Sequence, residues 1–245
     1  MAHIRCDFKS KVLGMNTSMT VILPEEVRMQ DVSVVYLLHG LEDNCSGWTR
    51  YTLVELYARE YNVAVVIPEV QRSFYTDMKN GLDYFTFINK ELREVCTHFF
   101  NFSKKRERNY IMGLSMGGYG AIKCALTNPE KVNGCAAFSS VSDIVSVFKQ
   151  CKDGSRKEFD AIFGPSVSNK DNLFYLLDRC SRKLPSFYIA CGEEDERLFH
   201  SREISSALKE KGADVLFETW HGEHNWRFWN EAVERAFSYF FKEMN

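Results

Sequence analysis

Several things this sequence lacks narrow its function before any motif is read. Lys and Arg (31) nearly balance Asp and Glu (33), a formal net charge of −2, with no basic stripe and no acidic tail. That balance argues against nucleic acid or a membrane surface as partner. No apolar run approaches membrane-spanning length. Residues Met1–Asp7 lead into a polar run without the apolar centre of a signal peptide, so a cytoplasmic setting is expected. The 8 cysteines include no C-x-x-C pair and no cysteine–histidine spacing suited to zinc. They read as reduced, mostly buried small hydrophobes, and neither a metal nor a cofactor is expected. No internal repeat or low-complexity tract interrupts the chain. What remains is 45% hydrophobic over 245 residues, enough for one sizeable core. One α/β domain over residues 1–245 is the expectation.

Apolar runs alternate with helical patterns. Residues 5–23 suit two antiparallel strands, the second ended by Pro24. Val34–Leu38 and Val63–Ile67 are continuous apolar runs, the mark of strands buried on both faces. Thr52-x-x-Glu55 reads as a capping box opening a helix to Glu60. Phe85, Ile88, Leu92, Val95 and Phe99 recur at helical spacing between Asp83 and Phe99. Further strands are expected at Val132–Phe138, Ser186–Ala190 and Asp214–Thr219, with helices at Leu198–Lys211 and Trp226–Phe241. This order implies a mainly parallel sheet. Between 142 and 184 the alternation lapses, and that stretch is expected to be a cap-like insertion over the C-terminal edge of the sheet. The aromatic tail of the last helix offers a surface for a homodimer.

The most informative stretch is Asn109–Ala121, a short apolar strand, a small-residue turn and a helix rich in small side chains. Its turn, Gly113-Leu114-Ser115-Met116-Gly117, spells G-x-S-x-G, a nucleophile elbow that holds a serine at a strained strand-to-helix corner. The pattern is common by chance, and the flanking strand and helix make it specific. A serine at its own pKa is a poor nucleophile and needs a base, which needs an orienting acid. Functional groups of an open parallel sheet gather at the C-terminal ends of strands. After Ser186–Ala190 stand Glu193, Glu194, Asp195 and Glu196; after Asp214–Thr219 stand His221 and His224. The order nucleophile, acid, histidine is that of α/β-hydrolases. His3, His98 and His200 have no motif around them, and Ser46, Ser139 and Ser140 stand in loops without an elbow.

The segments Tyr36–Gly40, Gly113–Gly120, Cys191–Asp195 and His224–Trp229, with Phe74–Asp77 and Asp83–Thr86, resemble the esterase D and tributyrin esterase group, which includes S-formylglutathione hydrolases and feruloyl or acetylxylan esterases. The likeness runs from about residue 5 to residue 241. It implies an α/β-hydrolase fold, a small-molecule ester substrate and no cofactor. By motif it implies Ser115 as nucleophile, Asp195 as acid and His224 as base, with backbone N–H groups of Leu41 and Met116 as the oxyanion hole. His39 then braces its loop. Trp48, Tyr75, Trp226 and residues of 142–184 are candidate pocket walls, as is His221. The expected activity is a serine carboxylesterase acting on acetyl, butyryl or cinnamoyl-type esters. The alternatives are S-formylglutathione hydrolase, a thioesterase, and a non-catalytic binding protein of the same fold.

Overall fold

The computed structural model describes residues 1–25, 28–151 and 153–242. β1 (Ala2–Lys9) and β2 (Asn16–Leu23) form an antiparallel pair in register from Ala2 opposite Leu23 to Lys9 opposite Asn16. β3 (Val34–Leu38), β4 (Ala64–Pro68), β5 (Asn109–Leu114), β6 (Gly134–Phe138), β7 (Ser186–Gly192) and β8 (Val215–Trp220) extend it into one eight-stranded sheet. The strand order is β1-β2-β4-β3-β5-β6-β7-β8, with β2 antiparallel to β4 and every later pairing parallel. This is the α/β-hydrolase arrangement.

Strand alternation splits the core into two layers. Val34, Tyr36, Leu38 and Val66 face one side and Val35, Leu37, Val65 and Ile67 the other, and all eight are buried. Both faces are therefore covered by helices, which are α1 (Gly47–Tyr51), α2 (Val54–Glu60), α3 (Tyr84–Thr86), α4 (Leu92–Phe100), α5 (Met116–Thr127), α6 (Ile144–Gln150), α7 (Asp153–Phe163), α8 (Leu173–Arg179), α9 (Leu198–Glu210) and α10 (Trp226–Phe241). α5 and α9 pack with the first layer, α2 and α10 with the second. None of the described helices is long and apolar enough to cross a membrane.

Two departures from expectation have local causes. The capping box at Thr52 does not form, and two short helices meet there instead. Thr52 Oγ1 donates to the Trp48 carbonyl (2.5 Å) and accepts from the Val54 N–H (3.2 Å), while Glu55 lies 3.3 Å from His3. The helix expected over 83–99 contains a π-helical turn at Phe87–Glu91 between α3 and α4. That turn carries the buried Glu91 carboxylate to the chain reversal after β1, where it accepts from Lys11 N–H (2.6 Å), Val12 N–H (3.3 Å) and the Ser10 hydroxyl. At the tail of α10, Phe237 and Phe241 are fully buried and Phe240 lies against Gly134, leaving Tyr239 as the exposed ring.

Residue 152 of the stretch 142–184 lies outside the described residues. The rest of the stretch holds α6, α7 and α8. It is tied to the loop before α3 by Lys79 N–H on Ile162 O (2.9 Å) and Asn80 N–H on Ala161 O (2.8 Å). Phe159 and Phe163 pack on Phe74, at centroid distances of 5.1 and 6.0 Å. Asp171 enters the core to meet Lys123 of α5, Oδ1 to Nζ 2.6 Å.

Candidate active site

Ser115 stands between β5 and α5 with φ 51° and ψ −116°, a left-handed conformation that side-chain-bearing residues adopt only when the surroundings enforce it. Here the enforcement is steric and hydrogen-bonded. A Cβ on Gly117 would lie 2.4 Å from the Leu38 carbonyl oxygen, so only glycine lets the first turn of α5 press against β3. The Ser115 N–H donates to Phe138 O (2.8 Å), extending the β5–β6 ladder one residue beyond the strand.

His224 follows β8 and points back across the strand ends. Its Nε2 lies 3.0 Å from Ser115 Oγ, and its Nδ1 lies 2.9 Å from Asp195 Oδ2 and 3.1 Å from Oδ1. An Nδ1–H facing a carboxylate leaves Nε2 free to accept the serine proton. The loops bearing the acid and the histidine are joined through Glu193 N–H to Trp220 O (3.0 Å) and Glu194 N–H to Gly222 O (3.1 Å). Just beyond, Asn225 caps α10 by accepting from Arg227 N–H and Phe228 N–H. Trp229, one turn into α10, sets its ring at 90° to the His224 imidazole, 4.9 Å between centroids.

The Asp195 side chain is fully buried. Burial pushes its carboxyl up, but hydrogen bonds from His224, Ser139 and the Arg197 N–H (2.7 Å) outweigh that effect and hold it below its usual value. Glu194 points elsewhere. It lies 2.8 Å from His221 Nδ1 and accepts from Gly222 N–H (2.6 Å), and the His221 side chain is 90% exposed. Of the two histidines after β8, the structure brings only His224 to Ser115.

Ser115 and His224 open into a cleft of about 450 Å³. Its walls come from Gly40–Asp43, Leu114, Glu196, Arg197, Asn225, Trp226 and Trp229. Trp226 stands in that wall. Trp48 and Tyr75 do not: both are fully buried, Trp48 donating to Leu38 O (3.1 Å) and Tyr75 to His39 O (2.9 Å). Nor does His221 line the cleft, or any described residue of 142–184. Leu41 lines it, and Met116 begins α5 beside the nucleophile. Neither backbone N–H is taken by another group among the described residues. His39 braces this loop, its Nδ1 2.7 Å from Gly40 O and its Nε2 accepting from Val70 N–H (3.2 Å). Burial lowers its pKa, and Nε2, accepting the Val70 N–H, carries no proton.

Ser139 is a residue that sequence reasoning set aside. It is buried, left-handed (φ 49°) and accepts from the Trp229 indole (3.1 Å), with its hydroxyl toward Asp195. Its only sequence signal is its place directly after a strand.

Comparison with known proteins identifies similar chains. Residues 10–240 match the family model Esterase, described as "Putative esterase". An acetyl esterase of Caldicellulosiruptor saccharolyticus is 32% identical over 263 residues, covering 99% of both chains. Two Staphylococcus aureus structures superpose over 98% of both chains. One is a fluorophosphonate-binding serine hydrolase (TM-score 0.90, 31% identity), the other an S-formylglutathione hydrolase (TM-score 0.88, 32% identity).

Proposed function

The chain belongs to the Esterase family and hydrolyses carboxylic esters, and on that premise we propose that it is a serine carboxylesterase working through an acyl-enzyme on Ser115. The observation that carries the mechanism is the unbroken line from Ser115 Oγ through the His224 ring to the buried Asp195 carboxylate, 3.0 and 2.9 Å long. His224 takes the serine proton as Oγ attacks the ester carbonyl, and Asp195 holds the imidazole in the required tautomer and stabilises the imidazolium. The oxyanion rests on the N–H groups of Leu41 and Met116, each typically worth about 2.7–4 kcal/mol to the transition state. The alcohol leaves with the proton from His224, and water repeats the cycle on the acyl-serine. The positions of Ser115, Leu41 and His224 on three separate loops of one cleft support this assignment.

The acyl group is short or flat. The acetyl esterase relative supports a small acyl group, and a wall of Leu114, Trp226 and Trp229 suits acetyl to butyryl chains or a planar cinnamoyl group. A cytoplasmic setting is part of the same reading, supported by eight cysteines that all stand unpaired. A thioesterase reading, S-formylglutathione hydrolysis, is supported by the likeness to the Staphylococcus aureus S-formylglutathione hydrolase. A turnover panel separates them. It compares p-nitrophenyl acetate, butyrate and octanoate, methyl ferulate and S-formylglutathione, with Ser115→Ala as blank. Preference for the oxygen esters is expected. Preference for S-formylglutathione by orders of magnitude would replace the carboxylesterase reading, and turnover retained in Ser115→Ala would remove Ser115 from it.

A further inference from the structure

Phe74 and Tyr75 are consecutive non-glycine residues with φ 49°, a pairing that persists only where neighbours hold it in place. The neighbours are specific. Tyr75 N–H donates to Ser73 Oγ (3.1 Å) and Thr76 N–H to Ser73 O (3.2 Å). The ammonium of Lys123, buried in α5, donates to the Tyr75 carbonyl (3.1 Å), to Thr76 Oγ1 (3.1 Å) and to Asp171 (2.6 Å). The Tyr75 ring lies flat against α5, where a Cβ on Gly120 would come within 2.4 Å of Tyr75 Cγ. With backbone and ring both fixed, Tyr75 Oη has one place to go, the His39 carbonyl at 2.9 Å.

That carbonyl belongs to the peptide plane between His39 and Gly40. The next plane contains both the Gly40 carbonyl and the Leu41 N–H, which point in opposite directions because the peptide unit is rigid. The His39 ring holds the Gly40 carbonyl, Nδ1 to O 2.7 Å. Nε2 accepts from Val70 N–H, which assigns the proton to Nδ1. Two successive planes are thus clamped, the first by Tyr75 and the second by His39, and together they set the direction of the Leu41 N–H. We propose that Tyr75 is a positioning residue for the oxyanion hole, anchored by Lys123 and acting through the His39 carbonyl on the Leu41 donor. The inference rests on the acyl-enzyme reading above. It also gives the otherwise distant Asp171 a link to the catalytic cleft, since Asp171 holds the lysine that holds Tyr75.

Tyr75→Phe keeps the ring over Gly120 and removes only Oη. The expected result is a fall in kcat for p-nitrophenyl acetate of about 10-fold, less than the roughly 10²–10³-fold seen when an oxyanion donor is deleted outright. KM should stay near the wild-type value. Affinity for a trifluoromethyl ketone, which forms an oxyanion when the serine adds to it, should fall by the same factor as kcat. A residue serving the core alone would lower the melting temperature without this parallel loss. Wild-type kcat and ketone affinity in Tyr75→Phe would overturn the proposal. If that variant melts below the assay temperature, Thr76→Val removes one partner of Lys123 and leaves Tyr75 intact. A smaller parallel fall is then expected, and a drop in melting temperature alone overturns the proposal. Wild-type enzyme without Ser115-dependent turnover would instead overturn the acyl-enzyme reading on which this one rests.

Discussion

Asp171→Asn probes the buried ion pair between α5 and the stretch 142–184. Lys123 is 1% exposed, its Nζ sits 4.6 Å from the Phe85 ring centroid, and among the described residues Asp171 is the carboxylate it bonds directly, 2.6 Å away. Burial pulls the ammonium below its ordinary pKa against the opposing pull of Asp171. Neutralising the carboxylate leaves a charge in the core with only neutral acceptors. Removing one member of a buried pair typically costs about 3–5 kcal/mol. Asparagine keeps an acceptor oxygen and the Tyr75 and Thr76 contacts remain, which places this variant near about 3 kcal/mol. For a domain of this length each kcal/mol moves the melting temperature by about 2–4 °C, so a fall of roughly 6–12 °C is expected. Differential scanning fluorimetry and urea unfolding read both quantities. Lys123→Met combined with Asp171→Leu should recover part of the loss, because the desolvation of both charges disappears together. Recovery stays incomplete because Ser168 Oγ, 2.6 Å from Asp171 Oδ2, loses its acceptor. A single variant within about 1 kcal/mol of wild type, or a double variant less stable than the single, would refute this reasoning.

Two further outcomes are expected. Asp195→Asn should lower kcat by about 10⁴-fold by inverting the tautomer preference of His224, whereas Glu193→Gln and Glu194→Gln should each cost no more than a few-fold; steady-state kinetics that reverse this ranking would move the acid. His39 and His200 are both held below their ordinary values, in each case first by burial. Between those folded values and about 6.5 the unfolded chain binds more protons, so stability rises with pH across that window. A melting-temperature profile that is flat on the acid side of neutrality would contradict this, and His39→Asn should remove part of the slope.

Much of the fold was legible because the decisive signals are local. Val34–Leu38 and Ala64–Pro68 are buried on both faces, so their composition alone marks them as central strands. The bounds of α10, Trp226–Phe241, coincide with the periodic run. Ser115 announces itself through glycines whose reason is visible only in three dimensions, the approach of α5 to β3. Side-chain direction was not legible. Trp48 and Tyr75 look like any loop aromatics, yet each turns its polar atom to a carbonyl inside the protein and carries its ring into the core. Composition made Glu193, Glu194 and Asp195 equivalent, and the choice of Asp195 came from the motif that the resemblance supplies. The Thr52 signal failed for a related reason. A threonine hydroxyl serves the end of one helix as readily as the start of the next, and here it does both.

The π-helical turn at Phe87–Glu91 bears on how this chain can change in length. Such a turn holds one residue more than regular helical winding would use over the same stretch. Deleting one residue there would let α3 and α4 merge into an uninterrupted helix, which looks like a local improvement. Because the surplus is absorbed in one wide turn, the flanking turns keep their phase, and the deletion would leave Tyr84 and Leu92 facing the core as they do now. What the deletion would change is the wide turn itself, which brings the buried Glu91 carboxylate to the Lys11 and Val12 amides. The surplus residue therefore serves the anchoring of the chain reversal between β1 and β2 rather than the winding of the helix. Deleting Lys90, which is exposed in this turn, would then be expected to keep the helix and loosen the chain reversal after β1.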